Sequence, residues 1–165
     1  MNIAIVKYNA GNIQSVSFAL ERLGYEGLIT GDHETIRQAD KVIFPGVGEA
    51  STTMEFLKKE GLDQLIPSLK QPVLGICLGM QLMCSHSEEG DTPCLGIFDE
   101  PVKKFSVPEN SPQNFKIPHM GWNRLSQVRP PLFTSELEDE FVYFVHSYYV
   151  PTGPDTVAES HYIHP

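Results

Sequence analysis

The stretch that most constrains the fold is Pro72-Val73-Leu74-Gly75-Ile76-Cys77-Leu78-Gly79-Met80-Gln81-Leu82. Pro72 opens a short apolar run, Val73, Leu74 and Ile76, which reads as a fully buried strand. Cys77 ends the run, and Leu78, Met80, Leu82 and Met83 suit the first turns of a helix that packs back on the sheet. Gly75 and Gly79 stand two residues to either side of Cys77. A residue held in a tight strand-to-helix turn needs neighbours without side chains, and Gly-x-Cys-x-Gly has the form of such a nucleophile elbow, with sulfur in place of oxygen. The sulfur is then expected above the sheet, near the positive end of the helix, where a thiolate is favoured. A buried, inert cysteine is the competing reading of any lone thiol. The two glycines, the preceding apolar strand and Gln81 one helical turn later favour the nucleophile.

The chain around this stretch alternates strand and helix. Ile3 to Val6 is expected as a first strand, Lys7 to Asn12 as a loop, and about Ile13 to Leu23 as a helix capped by Gly11 or Asn12 and closed by Gly24. Gly27 to Thr30 and Lys41 to Phe44 read as strands, with helices near Glu34 to Ala39, Ser51 to Leu57 and Leu62 to Leu69. Repeated βαβ units imply a parallel sheet with helices on both faces, and ligands then sit at the carboxyl ends of its strands. Tyr8 to Asn12, Pro45 to Gly48, and Cys77 fall on that one rim. From Gly90 to Pro131 prolines and glycines recur, with apolar runs at Val102 to Val107 and Phe115 to Ile117. These read as short strands and turns in an antiparallel extension of the sheet. Glu140 to Val145 is the firmest strand signal there and delivers His146-Ser147-Tyr148 to a strand end; Thr156 to Ser160 reads as the next strand.

Composition excludes several classes. The 165 residues fit one domain, 1–165, with a sizeable core, and 41% hydrophobic with 20% charged residues is ordinary for a soluble globular protein. A net charge of −9 argues against a broad nucleic-acid footprint. No apolar run approaches the roughly 20 residues that span a bilayer. The start, Met1 to Lys7, lacks a signal peptide's basic and apolar regions, so a cytoplasmic location is expected. Cys77, Cys84 and Cys94 form no paired framework and no Cys-x-x-Cys spacing, so neither a disulfide scaffold nor a metal site is expected. Cys84 and Cys94 read as structural or incidental.

Pro45-Gly46-Val47-Gly48 is the second chemical element. Glycines after a buried strand leave backbone N–H groups free to face a developing anion, and beside an elbow they suit an oxyanion hole for acyl transfer. Here the residues reach a family. Gly75-Ile76-Cys77-Leu78-Gly79-Met80-Gln81 with Phe44-Pro45-Gly46-Val47-Gly48 resembles class I, triad-type, glutamine amidotransferase domains. Tyr8-Asn9-Ala10-Gly11-Asn12, Pro118-His119-Met120-Gly121-Trp122-Asn123 and Phe144-Val145-His146-Ser147-Tyr148 narrow the likeness to the glutaminase subunits of imidazole glycerol phosphate synthases, along essentially the whole chain. Asn9 departs from the glycine usual in that family after the tyrosine.

The resemblance implies an α/β, flavodoxin-like, mostly parallel sheet and no cofactor or metal. It implies that Cys77 attacks the carboxamide of glutamine, that ammonia leaves, and that water hydrolyses the resulting glutamyl thioester. Gly46, Val47, Gly48 and the Leu78 amide would stabilise the oxyanion, while Gln81, Glu89, His146, Ser147 and Tyr148 would hold the substrate. Ammonia would pass to a (β/α)8-barrel cyclase partner in a heterodimer, with Asn12, Trp122, Asn123 and Tyr143 near the interface. Read from the residues alone, Glu89 is equally one of several solvated acids in Ser87 to Asp91, and Trp122 is equally a core residue.

The base for the thiol is not evident. The family supplies a histidine and its orienting carboxylate from a His-Pro-Glu motif, whereas this sequence closes on His161-Tyr162-Ile163-His164-Pro165. Tyr162 to Pro165 reads as a turn between two late strands, so the chain is expected to lack its C-terminal part and, as it stands, to hydrolyse little glutamine. His146 is the best substitute base; His33, His86 and His119 are expected at the surface or an interface. Two alternatives remain on sequence grounds: the glutaminase of another triad amidotransferase, such as that of pyridoxal phosphate synthesis, and a catalytically inert fragment or regulatory domain of the same fold.

Overall fold

The computed structural model describes residues 1–8, 12–109, 111 and 114–164. Asn9, with its departure from the family glycine, and Pro165 of the terminal histidine–proline pair lie outside the described residues. Two compact units divide the chain, Met1–Asp99 and Glu100–Pro165.

The first unit is built on four parallel strands, β1 (Ile3–Val6), β2 (Gly27–Thr30), β3 (Lys41–Phe44) and β4 (Val73–Gly75), in the order β2-β1-β3-β4. The helices are α1 (Ile13–Arg22), α2 (His33–Gln38), α3 (Ala50–Lys59), α4 (Leu62–Ser68) and α5 (Leu78–Met83). Register places Ile29, Ile5, Ile43 and Leu74 side by side on one face. There Ile3, Ile5 and Ile43 pack under Ile13, Val16 and Leu20 of α1. On the opposite face Ala4, Val6, Val42 and Phe44 join Ile36, Met54, Leu57, Leu62, Leu65, Ile66 and Leu82 in the larger core. Helices therefore flank both faces, as a parallel sheet requires.

Local signals account for the helix ends. Asp32 caps α2 by accepting the Thr35 N–H at 2.8 Å. Asn12 stands at the N-cap of α1 with φ 68°, and Gly24, at φ 79°, follows that helix and donates to the Glu21 carbonyl. One expectation fails. Leu74 is 43% and Ile76 37% exposed, because β4 is outermost in its ladder while α1 packs on β1 and β2. A hairpin of β5 (His86–Ser87) and β6 (Thr92–Pro93), which the apolar pattern does not announce, completes this unit.

The second unit is antiparallel. β7 (Pro101–Lys104) pairs with β10 (Tyr148–Tyr149), and β8 (His119–Arg124) pairs with β9 (Phe141–His146) along its whole length. Phe115 to Ile117 forms no strand: the ladder starts at His119, after Pro118, which has no N–H to donate. Thr156 to Ser160 contributes only an isolated bridge, Ser126 to Glu159. The apolar centre is aromatic, with the Phe105 ring stacked 4.7 Å from Tyr149 and edge-on to Tyr162 at 5.8 Å. Among the described residues no helix is long and apolar enough to cross a membrane.

Candidate active site

Cys77 links β4 to α5 with φ 54° and ψ −117°. The other described non-glycine residues at positive φ are Asn12, Asp91, Gln127 and Asp139, so Cys77 alone among them lacks a side-chain amide or carboxylate. Such a conformation costs on the order of 1–3 kcal/mol and persists only where the surroundings enforce it. Here they do. A Cβ on Gly75 would lie 2.7 Å from both Met80 Cα and Met83 Sδ, and one on Gly79 would run into the Phe44 carbonyl. The Ile76 N–H donates to that same carbonyl at 3.0 Å, Gly79 N–H to Ile76 O at 3.0 Å, and Gln81 N–H to Cys77 O at 3.1 Å. The turn is thus pinned before and after Cys77. The thiol itself is free and exposed.

The glycine loop abuts this turn. A Cβ on Gly46 would meet the Tyr8 hydroxyl, the Gly79 amide nitrogen at 2.9 Å and Leu78 Cβ at 3.0 Å. Gly48 adopts φ 124° with open space beside it, and Val47 between them is exposed. Leu78 occupies the first helical position, where an N–H has no intrahelical acceptor. Gly46, Leu78 and Cys77 are therefore gathered at one strand–helix junction.

Tyr8, placed by the sequence on the rim but given no role there, reaches the glycine loop. It is buried against Phe44, at a ring separation of 5.5 Å, and its hydroxyl donates to the Pro45 carbonyl. Burial, and then the charge of the Cys77 thiolate, push its phenol well above the ordinary range.

Gln81 is buried one turn after Cys77. Glu89 is no loose member of an acidic loop: its Oε2 accepts the Ala50 N–H at 2.9 Å, two residues beyond Gly48. Its own N–H donates to Ser87 Oγ at 3.1 Å, and its carbonyl accepts from Thr92 Oγ1 at 2.7 Å. Burial raises its carboxyl above the usual range, the Ala50 bond opposes this, and Glu49 adds to it. Cys94 is pushed up to about 11, first by burial and then by Glu89, and Cys84 is buried, so neither has nucleophile character.

Within the second unit, His146 has both ring nitrogens engaged, Nδ1 with the Tyr148 carbonyl at 2.8 Å and Nε2 with His119 Nδ1 at 2.9 Å. The Ser147 carbonyl accepts from Phe105 N–H at 3.0 Å, and Tyr148 pairs with Lys104. His119 is buried between Tyr162 and Phe144, correcting its expected place at the surface or an interface. His33 Nε2 bonds the Glu60 carbonyl and His86 Nε2 pairs with Asp91.

Trp122 is 68% exposed and Tyr143, opposite it, 55%, their rings edge-to-face at 5.4 Å. Trp122 is therefore not core. Asn123 donates from Nδ2 to the His161 carbonyl at 2.9 Å, whereas Asn12 is exposed and accepts from the Ser15 hydroxyl. Among the described residues no group of three or more His, Cys, Asp or Glu is placed to hold a metal ion.

Residues 6–163 match the family model for glutamine amidotransferase class-I. The chain is 61% identical over 165 residues to the imidazole glycerol phosphate synthase subunit HisH of Bacteroides thetaiotaomicron, covering 100% of this chain and 83% of that one. It is 47% identical over 164 residues to the HisH subunit of Idiomarina loihiensis, covering 98% and 80%. A solved structure described as a crystal structure of glutamine amidotransferase shares the fold, with a TM-score of 0.72 at 17% identity over 96% of this chain and 79% of the other. With the strained cysteine, its flanking glycines and the adjoining Gly46–Gly48 loop, these likenesses show that the chain belongs to the class-I glutamine amidotransferases, in the HisH family of imidazole glycerol phosphate synthase subunits.

Proposed function

We propose that the chain is the glutaminase half of an imidazole glycerol phosphate synthase, working in the cytoplasm in a heterodimer with a (β/α)8-barrel cyclase subunit. The backbone of Cys77, at φ 54° and ψ −117° between two glycines that admit no side chain, carries this reading. In the reaction the Cys77 sulfur adds to the carboxamide carbon of glutamine. Negative charge moves to the former carbonyl oxygen, where N–H groups of Gly46–Gly48 and Leu78 receive it. The C–N bond then breaks, the leaving nitrogen takes a proton, and ammonia departs toward the barrel. Water attacks the thioester, releasing glutamate and the thiol.

In the first unit Gln81 and Glu89 hold the amino-acid end of glutamine, with the Glu89 carboxylate suited to its ammonium group; in the second unit His146, Ser147 and Tyr148 are the candidate substrate-binding residues. Asn12 of the first unit and Trp122, Asn123 and Tyr143 of the second lie near the interface with the barrel. A glutamine hydrolysis assay with and without the barrel subunit, on material of known intact mass, tests the whole scheme. On material heavier than the 18.4 kDa of these 165 residues, partner-dependent glutamate release that disappears in Cys77→Ala is the expected result; these residues alone, without a His-Pro-Glu base, are expected to release little. Release that survives that substitution, or that no barrel subunit stimulates, would reject it.

A further inference from the structure

Tyr8 follows β1, yet its side chain turns into the first unit and reaches the glycine loop. Three observations place its hydroxyl between the two halves of the catalytic junction. It donates to the Pro45 carbonyl across 37 positions of sequence. It is the nearest atom to a Cβ built on Gly46, ahead of the Gly79 nitrogen and Leu78 Cβ. Burial and then the charge of Cys77 suppress its ionisation, so the phenol lies within the electrostatic reach of the sulfur.

A peptide group is planar, and its C=O and N–H point in opposite directions. A donor holding the Pro45 oxygen therefore settles the orientation of the whole Pro45–Gly46 peptide, and with it the course of the chain into Val47 and Gly48. Without that donor, a loop with glycines at both ends has many orientations open to it. Oxyanion stabilisation depends on donors being aligned before charge develops.

We propose that Tyr8 is a positioning residue for acyl transfer at Cys77, its hydroxyl holding the Pro45–Gly46 peptide so that the loop's N–H groups are aimed at the oxyanion. The proposal rests on the oxyanion role of the Gly46–Gly48 loop given above. Tyr8 touches no reacting atom. Its contribution belongs to the transition state for addition to a carbonyl and not to the reactivity of the sulfur.

Two reactions of Cys77 separate these effects. Acylation by the γ-(p-nitrophenyl) ester of glutamate forms the S–C bond through a tetrahedral oxyanion and expels p-nitrophenolate, a leaving group that needs no proton. Alkylation by iodoacetamide displaces iodide at a saturated carbon and forms no oxyanion. In single-turnover experiments on the chain with its barrel partner, Tyr8→Phe is expected to slow acylation by about 10- to 100-fold, below the loss typical of deleting a donor outright. Alkylation is expected to stay within about twofold, since the thiol is untouched. Equal acylation in Tyr8→Phe and the parent would overturn the proposal, as would parallel losses in both reactions.

Gly46→Ala provides a second variant, because the new methyl meets the Tyr8 hydroxyl first. It is expected to reproduce the selective loss, and the double variant to lose less than the sum of the two, since removing the hydroxyl relieves the shortest of the methyl's three contacts, leaving those to Gly79 and Leu78. Strict additivity would also overturn the proposal. If the parent chain acylates no faster, relative to alkylation, than a free thiol, then the oxyanion reading itself is wrong and Tyr8 has nothing to position. That failure shows in the parent and is not confused with one confined to Tyr8→Phe.

Discussion

His119 Nδ1 lies 2.9 Å from His146 Nε2, and the far nitrogen of His146, Nδ1, lies 2.8 Å from the Tyr148 carbonyl. A carbonyl only accepts, so His146 Nδ1 carries hydrogen, its Nε2 is the acceptor, and His119 Nδ1 donates to it. Both rings are neutral in this chain of bonds. A proton added to His146 Nε2 would require His119 to move its hydrogen from Nδ1 to Nε2 so that Nδ1 can accept.

The first prediction follows from that pair. Burial lowers both imidazoles below their ordinary value of 6.5, with His146 adding to the effect on His119 and the Tyr148 carbonyl opposing it on His146. The Tyr162 ring stacks on His119 with centroids 3.9 Å apart. An unfolded histidine takes its proton near 6.5, whereas the folded pair does so only at lower pH. Between those values the unfolded chain holds more protons, so stability is complete above about 6.5 and declines as pH falls through the window. Urea unfolding at pH 7.5, 6.0 and 5.0 should show that decline in the parent and a shallower one in His119→Phe, which keeps a ring between Tyr162 and Phe144. Identical pH slopes would show that the pair does not govern acid stability.

The second prediction concerns Cys77. Its φ of 54° with ψ of −117° is a glycine-like conformation. Relief of about 1–3 kcal/mol of strain, less the roughly 0.5–1 kcal/mol of extra chain entropy that glycine brings, leaves Cys77→Gly about 1 kcal/mol more stable than the parent. Cys77→Ala keeps a Cβ and should show no such gain. For a domain of this size the difference corresponds to about 2–4 °C in melting temperature. Both variants lose the nucleophile. Equal melting points for the two would mean that the elbow stores no strain.

Much of the first unit was legible because its signals are local. The strand Lys41–Phe44 ends at Pro45-Gly46, and Gly75 and Gly79 are demanded by backbone and side-chain atoms only a few residues from the elbow or in the adjacent strand. Features that depend on distant partners were not legible. The hydrogen bond from Tyr8 joins positions 37 apart, and Glu89 finds Ala50 across 39. The strand His119–Arg124 hides for another reason. Its buried residue is a histidine, while its large apolar residues, Met120 and Trp122, point outward, so an apolar period cannot reveal it. Leu74 and Ile76 show the converse, an apolar run that is half open because its strand is outermost.

Glu89 carries the third prediction. Its carboxyl is raised above the ordinary 4.5, so the folded state takes the proton more readily and gains stability as pH falls toward that value. At pH 7 the ionised form is thus held at some cost to stability, as expected of a group kept for binding. Glu89→Gln keeps an oxygen for the Ala50 N–H and removes the charge. It should be as stable as the parent at pH 7 or more so, while KM for glutamine rises by at least about tenfold and kcat changes less, from the lost pairing with the substrate ammonium. An unchanged KM alongside a lower melting temperature would reduce Glu89 to a structural anchor of α3.

The last prediction separates stability from association at Trp122. On one face of the β8–β9 ribbon, Met120 stands opposite Val145, Trp122 opposite Tyr143 and Arg124 opposite Phe141. Arg124 lies over the Phe141 ring at 5.1 Å, and the five apolar members of this set are all exposed. An exposed side chain whose principal contact is one edge-to-face ring contributes little to folding, so Trp122→Ala should shift unfolding by no more than about 0.5–1 kcal/mol. Exposed aromatics grouped on one face are also the residue type that dominates protein interfaces, where truncation costs about 2 kcal/mol or more. Titration of the barrel subunit, followed by calorimetry, should then show affinity weakened by about 30-fold or more, with Tyr143→Ala less severe because the smaller ring covers less surface. Unimpaired binding in Trp122→Ala would move the docking face elsewhere. A large loss of stability would show that Trp122 supports the ribbon and not the partner.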